Sequence, residues 1–585
     1  MKSIVFPMNM YPVYADREAW ARVPEKVRQE AAELAAECRR ESWPLRLASG
    51  IMAFRTNGSR KADENPFFQR RRRLVALALN MLIQGDDKDL TDILDGLFLI
   101  CEETTWAISA HLETGSDPLP DVEKPMLDLF AAQSGMIIAL CRQTLGEEIR
   151  RVSPNLYRRL EWEIRRRVLD PFMNRDDFWW MGNNERTMNN WTPWILGNVL
   201  TCAGTVLDRD AFMPLFERAL RIRDRFLRDM PEDGVCDEGA AYWNVSGGAL
   251  LEVLQWQEWL GDEHAYDAPK IRNMLTYPAR AYLGHGCFVN FADCDFRPWI
   301  SPETVIRCGN RTGDAGMLRL GEELRRRVGL KAYVSDTVMF RRMLDACFPE
   351  EAHMEGAGEP KDIYYPSTQL RILEKGRWTL AVKGGHNEES HNHNDVGAFI
   401  LFSGDDAVIA DSGNMTYTAK TFSDARYTLF NTRSRNHSVP MPFGLEQKSG
   451  RAYGASAAAC LPDGLEIEYA AAYGDPRLTR LTRRAGLDDT CFTLEDTLEC
   501  TEDGFVDFVF LSRPQPEKTG AGFRLGPVLL EDDGSAAWQI EEIPVEDARM
   551  AKSYPGKLYR MSVRWQISKG TNAFRFCFRY LGEDK

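Results

Sequence analysis

From about Glu18 to Cys347, apolar side chains recur at three- and four-residue steps. The stretches RRRRLVALALNMLIQ (70–84), LTDILDGLFLICEETTWAI (90–108) and MLDLFAAQSGMIIALCRQTL (126–145) show this period most plainly. LYRRLEWEIRRRVLDPF (156–172), AFMPLFERALRIRDRFLRDM (211–230) and AYWNVSGGALLEVLQWQEWL (241–260) continue it. Such spacing predicts amphipathic helices, and the short breaks between them predict antiparallel helix pairs. A succession of helical hairpins closes most readily as a toroid or a solenoid.

The pattern changes at EEAHMEGAGEPKD (350–362), a polar stretch with Gly and Pro that reads as a linker. Beyond it come short β-rich runs at 369–385, 397–413, 465–474, 505–513, 559–568 and 573–582, punctuated by GDD, PDG and EDG turns. These runs predict an antiparallel sandwich. The expected domains are a helical one over 1–350, a linker over 351–362 and a β domain over 363–585, an α+β multidomain chain.

Composition narrows the function. The chain has 585 residues, 44% hydrophobic and 27% charged, as in ordinary globular proteins. A net charge of −14 argues against general nucleic-acid binding. No stretch approaches a membrane span, and the N-terminal MKSIVFPMNMYPVYADREAW lacks the apolar core of a signal peptide. Thirteen dispersed cysteines without CxxC spacing fit free thiols in a reducing compartment. The expectation is a cytoplasmic protein, with secretion left open if the chain was trimmed. There is no Walker A, GxSxG or GxGxxG pattern. The basic runs Arg70–Arg73 and Arg165–Arg167 read as a solvated helix face.

Candidate chemistry concentrates in SHNHNDVGAF (390–399). Of eight histidines, four (His386, His391, His393 and His437) fall between residues 386 and 437. If the segment is a strand, His391, His393 and Asp395 share one face. Two imidazoles crowded together are costly unless neutral or metal-bound, and two His with an Asp make a reasonable zinc set. In the helical half, MNNWTPWILGNV (188–199) places Asn189, Asn190 and Trp191 just ahead of a helix, and DGVCDEGAAYWNVSGG (233–248) places Asp237 and Glu238 ahead of a helix whose first turn carries Tyr242 and Trp243. Capping accounts for the Asn and the acids, but not for the Tyr-Trp pair above two glycines.

HNHNDVGAFILF, ADSGN and RSRNHS, behind ETTWAISAH, NNW and DEGAAYW, resemble the heparinase II/III family of polysaccharide lyases over about residues 95–445. The resemblance implies an N-terminal incomplete (α/α) toroid followed by a C-terminal antiparallel β-sandwich, and β-elimination on uronic-acid-containing glycans. It implies catalytic roles for Asn190 (or Asn189), Tyr242 and His391, with Tyr427 as a second tyrosine. His111, Trp191 and Arg433 are the expected substrate contacts. His393, Asp411 and His437 match the family's zinc ligands, one structural zinc site in the β domain. The expected partner is an anionic uronic-acid oligo- or polysaccharide, with no nucleic acid and no membrane, and with a homodimer left open. One departure is that the tyrosine segment reads YWNVSGG where relatives carry a further Tyr after the Trp. Two other readings are a toroid glycoside hydrolase using Asp237 and Glu238, and a non-catalytic, zinc-stabilised uronate binder.

Overall fold

The computed structural model describes residues 5–113, 115–353, 360–532, 534 and 536–581. Of the expected linker, residues 354–359 lie outside the described residues. An N-terminal helical region is followed by a C-terminal β-rich region. The chain divides into two compact units, each discontinuous in sequence. The first comprises Met1–Met230, Asn244–Leu275 and Trp299–Met354, and the second Pro231–Trp243, Thr276–Pro298 and Glu355–Lys585.

In the first unit, helix Leu129–Thr144 packs against helix Trp191–Val206, which also contacts Arg209–Asp229 and Gly247–Trp259. Leu129–Thr144 and Trp191–Val206 are buried on nearly every side, and their apolar composition all round suits them to that central place. Arg209–Asp229 instead alternates a buried stripe (Phe212, Leu215, Phe216, Ala219, Ile222, Phe226) with charged positions. Side-chain caps start several of these helices. Asp128 accepts from the Phe130 and Ala131 amides, Asp208 from Ala211, and Ser301 from Thr304.

The Arg70–Arg73 run departs from the solvated face that its charge suggested. Arg70, Arg71 and Arg73 are buried. Arg71 donates to Glu103 Oε2 at 2.8 Å, and Arg70 and Arg46 reach the same carboxylate. One glutamate from the turn after helix Leu90–Glu102 thus offsets the burial of several guanidinium groups. Arg167 is likewise buried, against Glu163.

The second unit holds two large antiparallel sheets. The eight-stranded sheet runs Ala457–Leu461, Gly464–Glu468, Leu478–Leu487, Cys491–Cys500, Gly570–Tyr580, Val528–Glu531, Gly522–Leu525 and Glu517–Thr519. The nine-stranded sheet runs Trp538–Pro544, Lys557–Ile567, Gly504–Ser512, Asp406–Ile409, Phe399–Ser403, Trp378–Lys383, Leu370–Lys375 and Asp362–Tyr365, with Pro440–Pro442 beside Gly504–Ser512. Alternate residues of both sheets enter one apolar core, where Phe399 meets Phe492 at 5.0 Å and Phe510 meets Phe578 at 5.7 Å between ring centroids.

That core also encloses an ion pair. Arg483 and Asp496 occupy inward positions of adjacent strands and pair through two hydrogen bonds of 2.9 Å. Arg483 Nη1 also donates to the carbonyls of Gly397 (2.7 Å) and Ser438 (2.8 Å). The guanidinium therefore ties down two loops, one after His393 and one after His437.

Candidate active site and metal centre

The segment around His391 is not a strand. It is an irregular turn, and the strand begins only at Phe399. His391 sits at φ +54°, a left-handed conformation that breaks any pleat. The loop's polar groups go to partners outside a β ladder. The Asn394 amide donates to Thr432 C=O, the Val396 amide to Gln447 Oε1, and Asp395 pairs with Lys383 at 2.9 Å. The two histidines are brought together by a shared partner rather than by strand alternation.

That partner is Asp293, from the segment Thr276–Pro298 of the same unit. One carboxylate oxygen meets His391 Nδ1 at 2.9 Å and the other meets His393 Nε2 at 3.0 Å. Arg426 Nη2 donates to the first oxygen at 2.9 Å. Burial alone would raise the Asp293 pKa, but these hydrogen bonds and the neighbouring positive charge outweigh it and hold the carboxyl far below its usual range. His391 moves the opposite way. Burial would lower it, yet the Asp293 hydrogen bond and the Glu238 and Asp293 carboxylates raise it. Glu238 Oε1 stands 4.0 Å from His391 Nε2.

Tyr242 lies in the short helix Ala240–Trp243. Its ring packs against His391 with centroids 4.7 Å apart. The Tyr242 and Tyr417 hydroxyls are 2.6 Å apart, and the Tyr417 hydroxyl is 3.3 Å from His391 Nδ1. Burial pushes the Tyr242 phenol well above its ordinary value, with Glu238 and Asp293 adding to the rise and the Tyr417 hydrogen bond opposing it. Tyr242 is thus a protonated donor beside an imidazole that an ionised carboxylate holds by its other nitrogen.

Below this group, His393, Asp411 and His437 are buried, and one ligand atom from each lies within 4.8 Å of the others. The hydrogen bonds around them select tautomers suited to a metal. His393 Nε2 faces Asp293, and its Nδ1 is buried with no hydrogen-bond partner. His437 Nε2 faces the Asn431 carbonyl at 2.9 Å, which leaves Nδ1 toward Asp411 Oδ2 at 2.7 Å. Burial lowers the His393 pKa, which keeps that ring neutral. Two buried imidazoles and a carboxylate, each oriented by a further hydrogen bond, suit a divalent cation of the zinc type. The turn after Asp411 needs glycine. Gly413 sits at φ +57°, its amide donates to Asp411 Oδ1, and an added Cβ would fall 2.4 Å from Asn290 Nδ2.

Three other expected residues belong to the helical unit. Asn190 is buried at the start of helix Trp191–Val206. The His111 ring lies 4.6 Å from Trp191, and its Nδ1 meets the capping Asp128 at 2.7 Å. Trp191 continues the aromatic group to Trp179.

Residues 358–553 match the family model described as heparinase II/III-like, C-terminal. They form a heparinase II/III-like domain. No curated protein sequence matches the chain. Among solved structures, a heparinase III crystal structure is 13% identical, with 100% of this chain and 88% of that chain covered and a TM-score of 0.60. The heparan sulfate lyase HepC from Pedobacter heparinus is 13% identical over 96% of this chain and 84% of that one, with a TM-score of 0.54. The Streptomyces coelicolor A3 chondroitin AC lyase, crystallised with chondroitin sulphate, is 11% identical over 97% and 83%, with a TM-score of 0.53. At such identities the likeness is one of fold, and the chain has the heparinase II/III-like fold.

Within the heparinase II/III-like domain, Tyr417 rather than Tyr427 is the tyrosine whose hydroxyl meets Tyr242. Tyr427 accepts from Asn392 Nδ2 at 3.3 Å and lines an open groove of about 690 Å³ with Arg433, Glu446, Lys448 and Tyr453. Arg433 is paired there with Glu446. The sequence reading missed Asp293, Tyr417 and Arg426. Tyr417 and Arg426 do fall between Asp411 and His437, where a search for further polar groups would have met them. Asp293 lies outside the matched residues and far from His391 in the chain, so no spacing rule points to it.

Proposed function

We propose that this protein is a lyase that cleaves uronic-acid-containing oligo- or polysaccharides by β-elimination, leaving an unsaturated uronate. The observation that carries the reading is the pairing of Tyr242, a buried protonated phenol, with His391, an imidazole held on an ionised Asp293. On this reading the helical region is an incomplete (α/α) toroid and the two sheets sharing a core are an antiparallel sandwich.

Elimination breaks C5–H and C4–O4 and forms the C4=C5 double bond. His391 takes the C5 proton, and the adjacent carboxylates of Asp293 and Glu238 stabilise the imidazolium that forms, as a buried Asp does in an Asp–His pair. Tyr242 donates its proton to the departing O4. The Asn190 amide meets the substrate carboxylate, where negative charge builds as the C5 proton leaves. His111 and Trp191 supply sugar contacts in the helical unit, and Arg433 and Tyr427 in the groove. His393, Asp411 and His437 would hold zinc, whose chemistry here is to cross-link the loop carrying His391 to the Asp411 and His437 loops.

The test is a panel of heparan sulfate, chondroitin, hyaluronan, alginate and their oligosaccharides, followed by ultraviolet absorbance. A lyase raises the absorbance as the conjugated uronate forms. Cleavage without absorbance would assign a hydrolase working through Asp237 and Glu238, and binding without cleavage would leave a sugar-binding protein.

The metal assignment gives separate expectations. His393→Ala should lose most of the bound zinc and melt at a lower temperature, since ligand binding is linked to folding. His391→Ala should keep both zinc and melting temperature. Elemental analysis and thermal melts of the two variants check this, and wild-type protein purified without chelator yet free of stoichiometric metal would defeat it.

Tyr242 also sets the alkaline behaviour. Because its pKa is raised above the ordinary 10.0, the phenol keeps its proton at every lower pH. The expected kcat/KM profile therefore shows no tyrosine-ionisation limb up to about pH 10. An alkaline limb at pH 9 that Tyr242→Phe abolishes would remove Tyr242 from the donor role.

A further inference from the structure

The outer face of the eight-stranded sheet carries two thiols in unusual proximity. Cys491 begins strand Cys491–Cys500, and Cys577 lies on its neighbour Gly570–Tyr580. The register sets Cys491 opposite Arg579 and Thr493 opposite Cys577, so the cysteines are diagonal neighbours. Their intervening partners Phe492, Leu494, Phe576 and Phe578 point into the core. Strand alternation therefore turns both thiols outward, where they are only partly covered. Their sulfurs are 2.7 Å apart. That is inside van der Waals contact, though longer than the covalent S–S length of about 2.0 Å. Most other cysteines among the described residues are buried.

We propose that Cys491 and Cys577 form an oxidation site that closes to a cross-strand disulfide, with a small disulfide such as glutathione disulfide as the oxidant. The Cys491 thiol loses its proton to water and its sulfur attacks one sulfur of the oxidant. A bond forms between Cys491 Sγ and glutathione, and one glutathione thiolate leaves and takes up a proton. Cys577 then loses its proton and attacks Cys491 Sγ, expelling the second glutathione. Two electrons and two protons pass from the protein thiols to two glutathione thiols. Burial, together with the adjacent Cys491 and Glu531, pushes the Cys577 thiol up. The two strands are hydrogen-bonded along their length, so they hold the second thiol in place throughout.

The test uses the full chain incubated with glutathione disulfide. Remaining thiols are blocked with N-ethylmaleimide, and the protein is digested without reduction for peptide mass mapping. The expected product in most molecules is a peptide pair joined through Cys491 and Cys577, lighter by two hydrogens than the reduced pair. The oxidised protein should melt at a higher temperature, and dithiothreitol should reverse the gain. Cys577→Ser should stop at a glutathione adduct on Cys491, and Cys491→Ser should give no cross-link. Wild-type peptides with both Cys491 and Cys577 alkylated after oxidation would overturn the proposal, as would a disulfide from either residue to a different cysteine.

Discussion

Tyr242→Phe is expected to lower kcat by about 10²- to 10⁴-fold, the range for losing a positioned proton donor. The substitution deletes one hydroxyl and leaves the ring against His391. Tyr417 loses its 2.6 Å partner but keeps His391 Nδ1 at 3.3 Å. The stability cost is therefore that of one hydrogen bond, about 1 kcal/mol. KM should change little, because the lost interaction belongs to the transition state. Tyr427→Phe is the comparison, since its hydroxyl serves the groove and not Tyr242. Initial rates by ultraviolet absorbance and thermal melts of both variants decide the matter. Near-full activity in Tyr242→Phe would sink the donor assignment.

The second large effect concerns stability. Arg483→Met should cost about 3–5 kcal/mol, as removing one partner of a buried ion pair does. It leaves Asp496 charged in the core and strips the Gly397 and Ser438 carbonyls of their donor. Arg483→Met combined with Asp496→Leu should recover part of the loss, because no unpaired charge is then buried. Midpoints of urea unfolding for the single and double variants measure both. A single-variant loss under about 1 kcal/mol would place the pair among interactions of exposed strength.

The same pair explains part of what the sequence hid. Strands Leu478–Leu487 and Cys491–Cys500 form a long antiparallel pair, yet neither reads as one. Arg483 and Asp496 stand at inward positions, where an apolar residue would have completed the alternation. The helices were legible because periods such as that of 211–230 are unbroken by buried charge. Arg70–Arg73 misled for the converse reason, since Glu103 and Asp92, the carboxylates that make the burial of Arg70, Arg71 and Arg73 tolerable, lie elsewhere in the chain. At the site, the histidine cluster stood out by composition alone, and His393, Asp411 and His437 do converge. The strand reading of HNHND failed because period-two alternation cannot register a left-handed residue.

The discontinuity of the β-rich unit bears on how such a protein can be divided. A piece cut to begin at residue 360 would contain almost all of the segment that matches the family. It would lack Asp293, the common anchor of His391 and His393. It would also lack Asn290, which donates to Tyr554, and Phe296, which stacks on Tyr554 and whose amide donates to Ser553 Oγ. Tyr242 would be gone with them. The piece then lacks both part of the unit's own packing and part of the candidate site. Gene fusion or exchange between relatives would have to carry the 231–243 and 276–298 segments along with the C-terminal part. A lineage that shuffles this domain inherits a three-part unit or loses the site.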